Sequence, residues 1–156
     1  MNITLNNDFY FTILTIWIIL ALFTFFALLI IKPSSYGRHI DKNKLSVNNR
    51  LGWFIMELPT VILVPYFFLK GSLDYNLVTL SFISLYMIHY INRVFVFPLR
   101  IRTRAKRIPL LVVVSAIIFN VFNTYFIAYY FGNLSPHYDI SWFYSPYFII
   151  GFILFI

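Results

Sequence analysis

The chain alternates long apolar runs with short polar breaks. Phe9–Ile31 is nearly all apolar and stops at Lys32 and Pro33. About Trp53–Leu69 forms a second run, closed by Lys70 and Gly71 and interrupted by Glu57, Pro59 and Pro65. A third covers about Leu77–Phe97, and its last turns carry His89, Tyr90 and Arg93. The fourth covers about Pro109–Phe131, with Pro109 at a first-turn position. Each approaches the roughly 20 residues that a membrane-crossing helix needs. A fifth begins near Trp142 and runs "WFYSPYFIIGFILFI" to Ile156. The pattern predicts an all-α integral membrane bundle, 1–156 as one domain, with four complete spans and a truncated fifth. The fifth run has no polar residue after it, where spans commonly close on charged or aromatic anchors. It reads as part of a longer chain, with a tail buried in the bilayer as the alternative.

Composition strengthens this picture. Of 156 residues, 61% are hydrophobic and only 11% charged, with a mean hydropathy of +0.82. Soluble domains carry about 25% charged residues. There is no cysteine, which excludes disulfides, thiol catalysis and Cys-based metal sites. His39, His89 and His137 are too scattered to give metal-ligand spacing. No phosphate-loop, dinucleotide or nucleophile-elbow string occurs. The N-terminus has no basic residue before the first run, so it does not read as a signal peptide.

Charge gives an orientation. Basic residues gather in two loops, Lys32–Arg50 and Arg100–Arg107. The positive-inside rule puts both loops in the cytosol and the N-terminus outside. Two glycosylation sequons, at Asn2 and Asn133, then fall on the outer side. The net charge of +7 lies almost entirely in those loops. It serves orientation and attraction to anionic lipid, or else part of "RIRTRAKR", including Arg104, meets a phosphate-bearing ligand through the guanidinium fork. Nucleic acid is a poor fit for a cluster set against a membrane.

Ionisable groups within a span are costly and point to function. Glu57 is the clearest case. A buried carboxyl can stay neutral and donate a hydrogen bond to a carbonyl oxygen; the plainer reading is a helix-to-helix bond. Tyr86, Tyr90 and Arg93 share one side of a helix, spaced by four and three. They make either a site or an aromatic belt with a snorkelling arginine. Asn120 and Asn123, near one turn apart, read as helix-joining amides.

In order along the chain stand "KPSSYGRH", "WFIMELPT", "HYINRVFVFPLR", a "PL" opening the fourth span and "N…AYY" closing it. From about Lys32 onward this resembles the N-terminal part of the steroid 5α-reductase family, the 3-oxo-5α-steroid 4-dehydrogenases. The resemblance implies a seven-helix membrane enzyme of the endoplasmic reticulum, or of the bacterial inner membrane. Such enzymes reduce a carbon–carbon double bond conjugated to a carbonyl, with NADPH. It assigns Glu57 and Tyr90 to the substrate carbonyl oxygen, and Tyr36 and Trp53 to the substrate side. Arg93 and Asn123 fall to the cofactor, with Arg104 of the basic cluster. Substrate would be an apolar steroid or lipid drawn from the bilayer; no obligate protein partner is implied. Departures lie at Asn92, Val94 and Phe97, and at Asn123-Thr124 in place of Asn-Gly. They bear on substrate more than on reaction, and related branches reduce polyprenals or enoyl-CoA lipids. The family's C-terminal cofactor motifs have no counterpart here, so the expectation is that this stretch alone is inactive. A non-enzymatic membrane protein is the competing reading.

Overall fold

A computed structural model describes residues 3–30, 45–102 and 106–155, the side chains of residues 3–6 excepted. The chain forms two compact units, residues 1–44 and residues 45–156. In the first, α1 (Ile3–Ile30) is a single helix without a polar face. Its Thr12, Thr15 and Thr24 hydroxyls donate to the carbonyls four residues back, at 2.7–2.8 Å. A hydroxyl so engaged is satisfied within its own helix, as lipid requires.

The second unit holds α2 (Asn49–Leu69), α3 (Leu77–Ile91), the short α4 (Phe97–Arg100), α5 (Leu110–Tyr129) and α6 (Pro146–Phe155). Four helical stretches are long and apolar enough to cross a membrane: Asn7–Ile30, Asn49–Leu69, Leu77–Arg100 and Leu110–Leu134. The protein is a multi-pass membrane helical bundle. The fifth apolar run departs from expectation. It divides into a 3₁₀ turn (Ile140–Tyr144) and α6, because Pro146 cannot continue the turn's hydrogen bonds and instead starts the new helix.

The bundle's main seam joins α2 to α5. On α2, Gly52, Met56, Thr60, Val64 and Phe68 are all buried and recur every four residues. On α5 and the turn after it, Asn120, Thr124, Ala128 and Gly132 do the same. Four-residue spacing lays side chains in one ridge along a helix. Small residues in both ridges allow close backbone approach, which is how helices associate where there is no water to exclude. Apolar clusters close the seam at both ends: Met56, Ile108 and Val113 at one, Val64, Phe68, Ile83 and Ala128 at the other.

Two prolines shape the helices locally. Pro98 has no N–H for the Val94 carbonyl. The ladder slips before it into a π turn, Asn92–Val96, where the Phe97 N–H reaches the Asn92 carbonyl five residues back. Pro136 follows a second π turn, Tyr130–Leu134, closed by the Ser135 N–H on Tyr130 O at 2.8 Å.

Each end of the unit is tied across. At one end β1 (Ser46–Asn48) pairs antiparallel with β2 (Arg107–Pro109), Val47 opposite Ile108. This small ladder is an addition to the expected all-α fold. It also puts Pro109 at the end of a strand, capping α5, and not in the helix's first turn. The Leu110 N–H on Leu45 O at 2.8 Å and a bond from the Arg107 guanidinium to Ser46 O extend the tie. At the other end Gly71 and Gly132 meet backbone to backbone. A Cβ on Gly71 would sit 2.3 Å from the Gly132 carbonyl oxygen. Asn133 accepts there from the Ser72 N–H and hydroxyl, both at 3.2 Å, and donates to Tyr129 O. Its sequon side chain is thus occupied in holding the loop. The Asn2 sequon lies outside the described residues.

Candidate active site

Glu57 lies in the seam, 5% exposed, directly after Met56 of the apolar cluster at that end. Two residues on, Pro59 has no N–H, so the Ile55 carbonyl has no i+4 donor in the helix. The carboxylate finds partners on two other elements. Arg93, in the π turn after α3, donates to Oε1 from Nη2 at 2.6 Å and from Nε at 3.1 Å. Asn120, on α5, donates from Nδ2 to Oε2 at 3.3 Å and to the Met56 carbonyl at 2.6 Å. Three segments distant in sequence converge on one side chain.

The geometry is that of an ion pair: both oxygens accept, and Arg93 presents two donors to one of them. This differs from the neutral acid that burial alone leads one to expect. The reason is Arg93 itself. The π turn carries an extra residue in its turn, which re-aims the side chains after it. Arg93 reaches inward and its side chain remains 39% exposed. Its guanidinium also lies over the Trp53 ring, 5.3 Å from the centroid, and Trp53 packs edge-on against Phe97 at 4.9 Å. Trp53 therefore contacts the cation that pairs with Glu57.

Tyr90 belongs to an adjoining aromatic group. Its ring lies 4.6 Å from Tyr86 and 5.3 Å from His89. The Tyr86 hydroxyl accepts from Asn123 Nδ2 at 3.0 Å. Asn120 and Asn123, a natural pair by spacing, thus serve different neighbours: one faces α2, the other α3. Tyr36 and Arg104 lie outside the described residues.

Beyond Tyr86 opens a cavity of about 370 Å³ between α3, α5, the 3₁₀ turn and α6. Phe82, Leu85, Phe131, Trp142 and Phe152 line it with Tyr86. Its size falls within the roughly 300–1,000 Å³ of small-molecule sites. Its walls are apolar but for the tyrosine hydroxyls and the Trp142 indole. Among the described residues no group of three or more acidic, histidine or cysteine side chains could hold a metal ion.

The protein is thus a multi-pass bundle with a buried Glu57–Arg93 pair and a separate aromatic cavity. No family model matches the chain. Individual proteins do. It is 30% identical over 149 residues to steroid 5-alpha-reductase DET2 of Solanum lycopersicum, which covers 93% of this chain and 58% of that protein. With steroid 5-alpha-reductase DET2 of Gossypium hirsutum it shares 30% over 152 residues, 95% of this chain and 58% of the relative. With 3-oxo-5-alpha-steroid 4-dehydrogenase 1 of Homo sapiens it shares 30% over 122 residues, 76% and 46% respectively. The chain belongs to the steroid 5α-reductase family. It spans about half to three-fifths of the length of these relatives.

Proposed function

We propose that this chain is the carbonyl-binding part of a membrane reductase that saturates a carbon–carbon double bond conjugated to a ketone, with a 3-oxo-4-ene steroid as substrate. The observation that carries the reading is Glu57. It is a buried carboxyl within a span, in the "ELP" string, and it is bonded to Arg93 of "HYINR".

Hydride addition to the β-carbon of an enone builds negative charge on the carbonyl oxygen. Donors aimed at that oxygen lower the barrier most where water is absent. Tyr90 brings one O–H. Glu57 brings the other when its acid is protonated and Arg93 has left Oε1. On leaving, Arg93, whose side chain is 39% exposed, would keep its contact with the Trp53 ring. The steroid's apolar rings would lie in the cavity bounded by Tyr86 and Phe152.

An anionic cofactor would lie at the end tied by β1 and β2, where Arg50 and Arg107 stand. Arg93, Arg104 and Asn123 are assigned to it by family resemblance, and Arg93 also bonds Glu57. NADPH, when bound, supplies the hydride. What the protein's own groups contribute is orientation, exclusion of water and the two donors. In this reading the basic loops face the cytosol, and the membrane is the endoplasmic reticulum or the bacterial inner membrane.

The test uses the full-length protein in membranes. NADPH consumption is measured with a 3-oxo-4-ene steroid, a polyprenal and a 2-enoyl-CoA. Steroid-dependent oxidation giving the 5α product is expected. Turnover of one of the other two alone would transfer the reading to that lipid class. No turnover of any would favour a non-enzymatic membrane protein.

A further inference from the structure

Asn120 is 5% exposed and makes both of its contacts through one nitrogen. Both partners, Met56 O and Glu57 Oε2, accept; the amide's oxygen would be repelled in that place, so its orientation is fixed by its neighbours. The bond to Met56 O holds the peptide just before Glu57. The bond to Oε2 holds the side chain. Meanwhile Oε1 takes both bonds from Arg93. The two carboxyl oxygens are therefore unequal: Oε2 accepts from a buried, neutral amide, and Oε1 from a guanidinium whose side chain is 39% exposed.

We propose that Asn120 is a positioning residue that decides which oxygen of Glu57 carries the proton. A carboxylic acid has one O–H. Oε2, already receiving an N–H, must remain the acceptor, so the proton settles on Oε1. That is the oxygen exposed when Arg93 moves off, and so the one that faces the substrate carbonyl. Without Asn120 the acid could present either oxygen, and the donor would be misdirected in part of the population. This inference rests on the role proposed above for Glu57. It goes beyond it by naming the residue that makes the acid a directed donor.

The test compares Asn120→Leu and Asn120→Ser, each alone and combined with Glu57→Gln, in the full-length protein. Leu removes the donor at similar volume, and Ser keeps an O–H. With steroid and NADPH, Asn120→Leu should lower kcat about ten-fold, the order expected for losing a hydrogen bond to a charged or strongly polar group, with little change in KM. Asn120→Ser should recover part of that. In the Glu57→Gln background Asn120→Leu should cost nothing further, since residues acting as one unit are not additive. An equal loss in both backgrounds would make Asn120 a structural amide and overturn the proposal. A second measurement needs no turnover. Infrared difference spectra of the purified protein, with the Glu57 band identified through Glu57→Gln, should show that band shifted in both Asn120 variants. An unmoved band overturns the proposal even if the enzyme is active. A shifted band in a protein without reductase activity upholds the contact and sinks only the assigned reaction. Should Asn120→Leu not fold, the spectrum and rate of Asn120→Ser decide by the same criteria.

Discussion

The α2–α5 seam and the cavity beside α6 share helix α5 yet solve opposite problems. The seam is filled. Ridges of small and medium side chains close on each other, and the one carboxylate among them is bonded on both oxygens. The cavity is open, walled by rings, and almost without polar atoms. A charge can be kept in lipid only where every one of its bonds is supplied. An apolar guest needs the reverse, a space whose walls ask for nothing. Polar bonding and open space are thus divided between two faces of one helix, while Tyr86 both accepts from Asn123 and lines the cavity.

That division can be broken from either side. The largest effect should come from the seam. Glu57→Gln in the full-length protein is expected to lower kcat/KM by about 100-fold or more, the scale of losing one donor to a developing oxyanion, with folded yield near that of the parent. Parallel losses of rate and yield would make Glu57 structural. Arg93→Lys comes next. It keeps a charge but loses the planar fork and the stacking on Trp53, and a fall in kcat/KM of about ten-fold is expected. From the cavity side, Gly151 lines the space and has no atom within 4 Å of a Cβ position. Gly151→Phe should raise steroid KM several-fold and leave kcat and thermal stability nearly unchanged; a kcat effect instead would mean that cavity and seam are not separate. The smallest effect concerns acid. Asp139 caps the 3₁₀ turn that carries Trp142, and the bond from the Ser141 N–H holds its carboxyl below the ordinary value of 3.8. A depressed carboxyl stabilises the fold above its unfolded pKa and loses that contribution as pH falls through the folded one. Steroid KM should therefore not change between about pH 7 and 5 on account of this cap. A KM change in that range that Asp139→Asn abolishes would contradict the assignment.

Much of the fold was legible. Apolar run lengths located all four spans to within a few residues at most ends, and the described ends of the two basic loops, Ser46–Asn48 and Arg107–Pro109, pair as strands. Glu57 stood out because a lone acid in an apolar run is expensive. Its partner was harder to see. Arg93 lies at a helix end where snorkelling is the ordinary outcome, yet from within the π turn ahead of Pro98 it bonds Glu57. Asn120 and Asn123 looked alike because spacing alone does not say which neighbour lies across each face. The buried ridge of α2 was hidden for another reason: Gly52 and Thr60 are not hydrophobic, so a rule that seeks apolar faces passes over the surface that packs best.

The strand pair closing the basic end has one more consequence. It joins residues on either side of the α2–α3 hairpin, with Asn48 opposite Arg107. Such pairing forms only after both spans of that hairpin have been threaded and turned back. It is a late clasp, and it would hold in register two halves of the chain supplied separately, cut in the turn between α2 and α3.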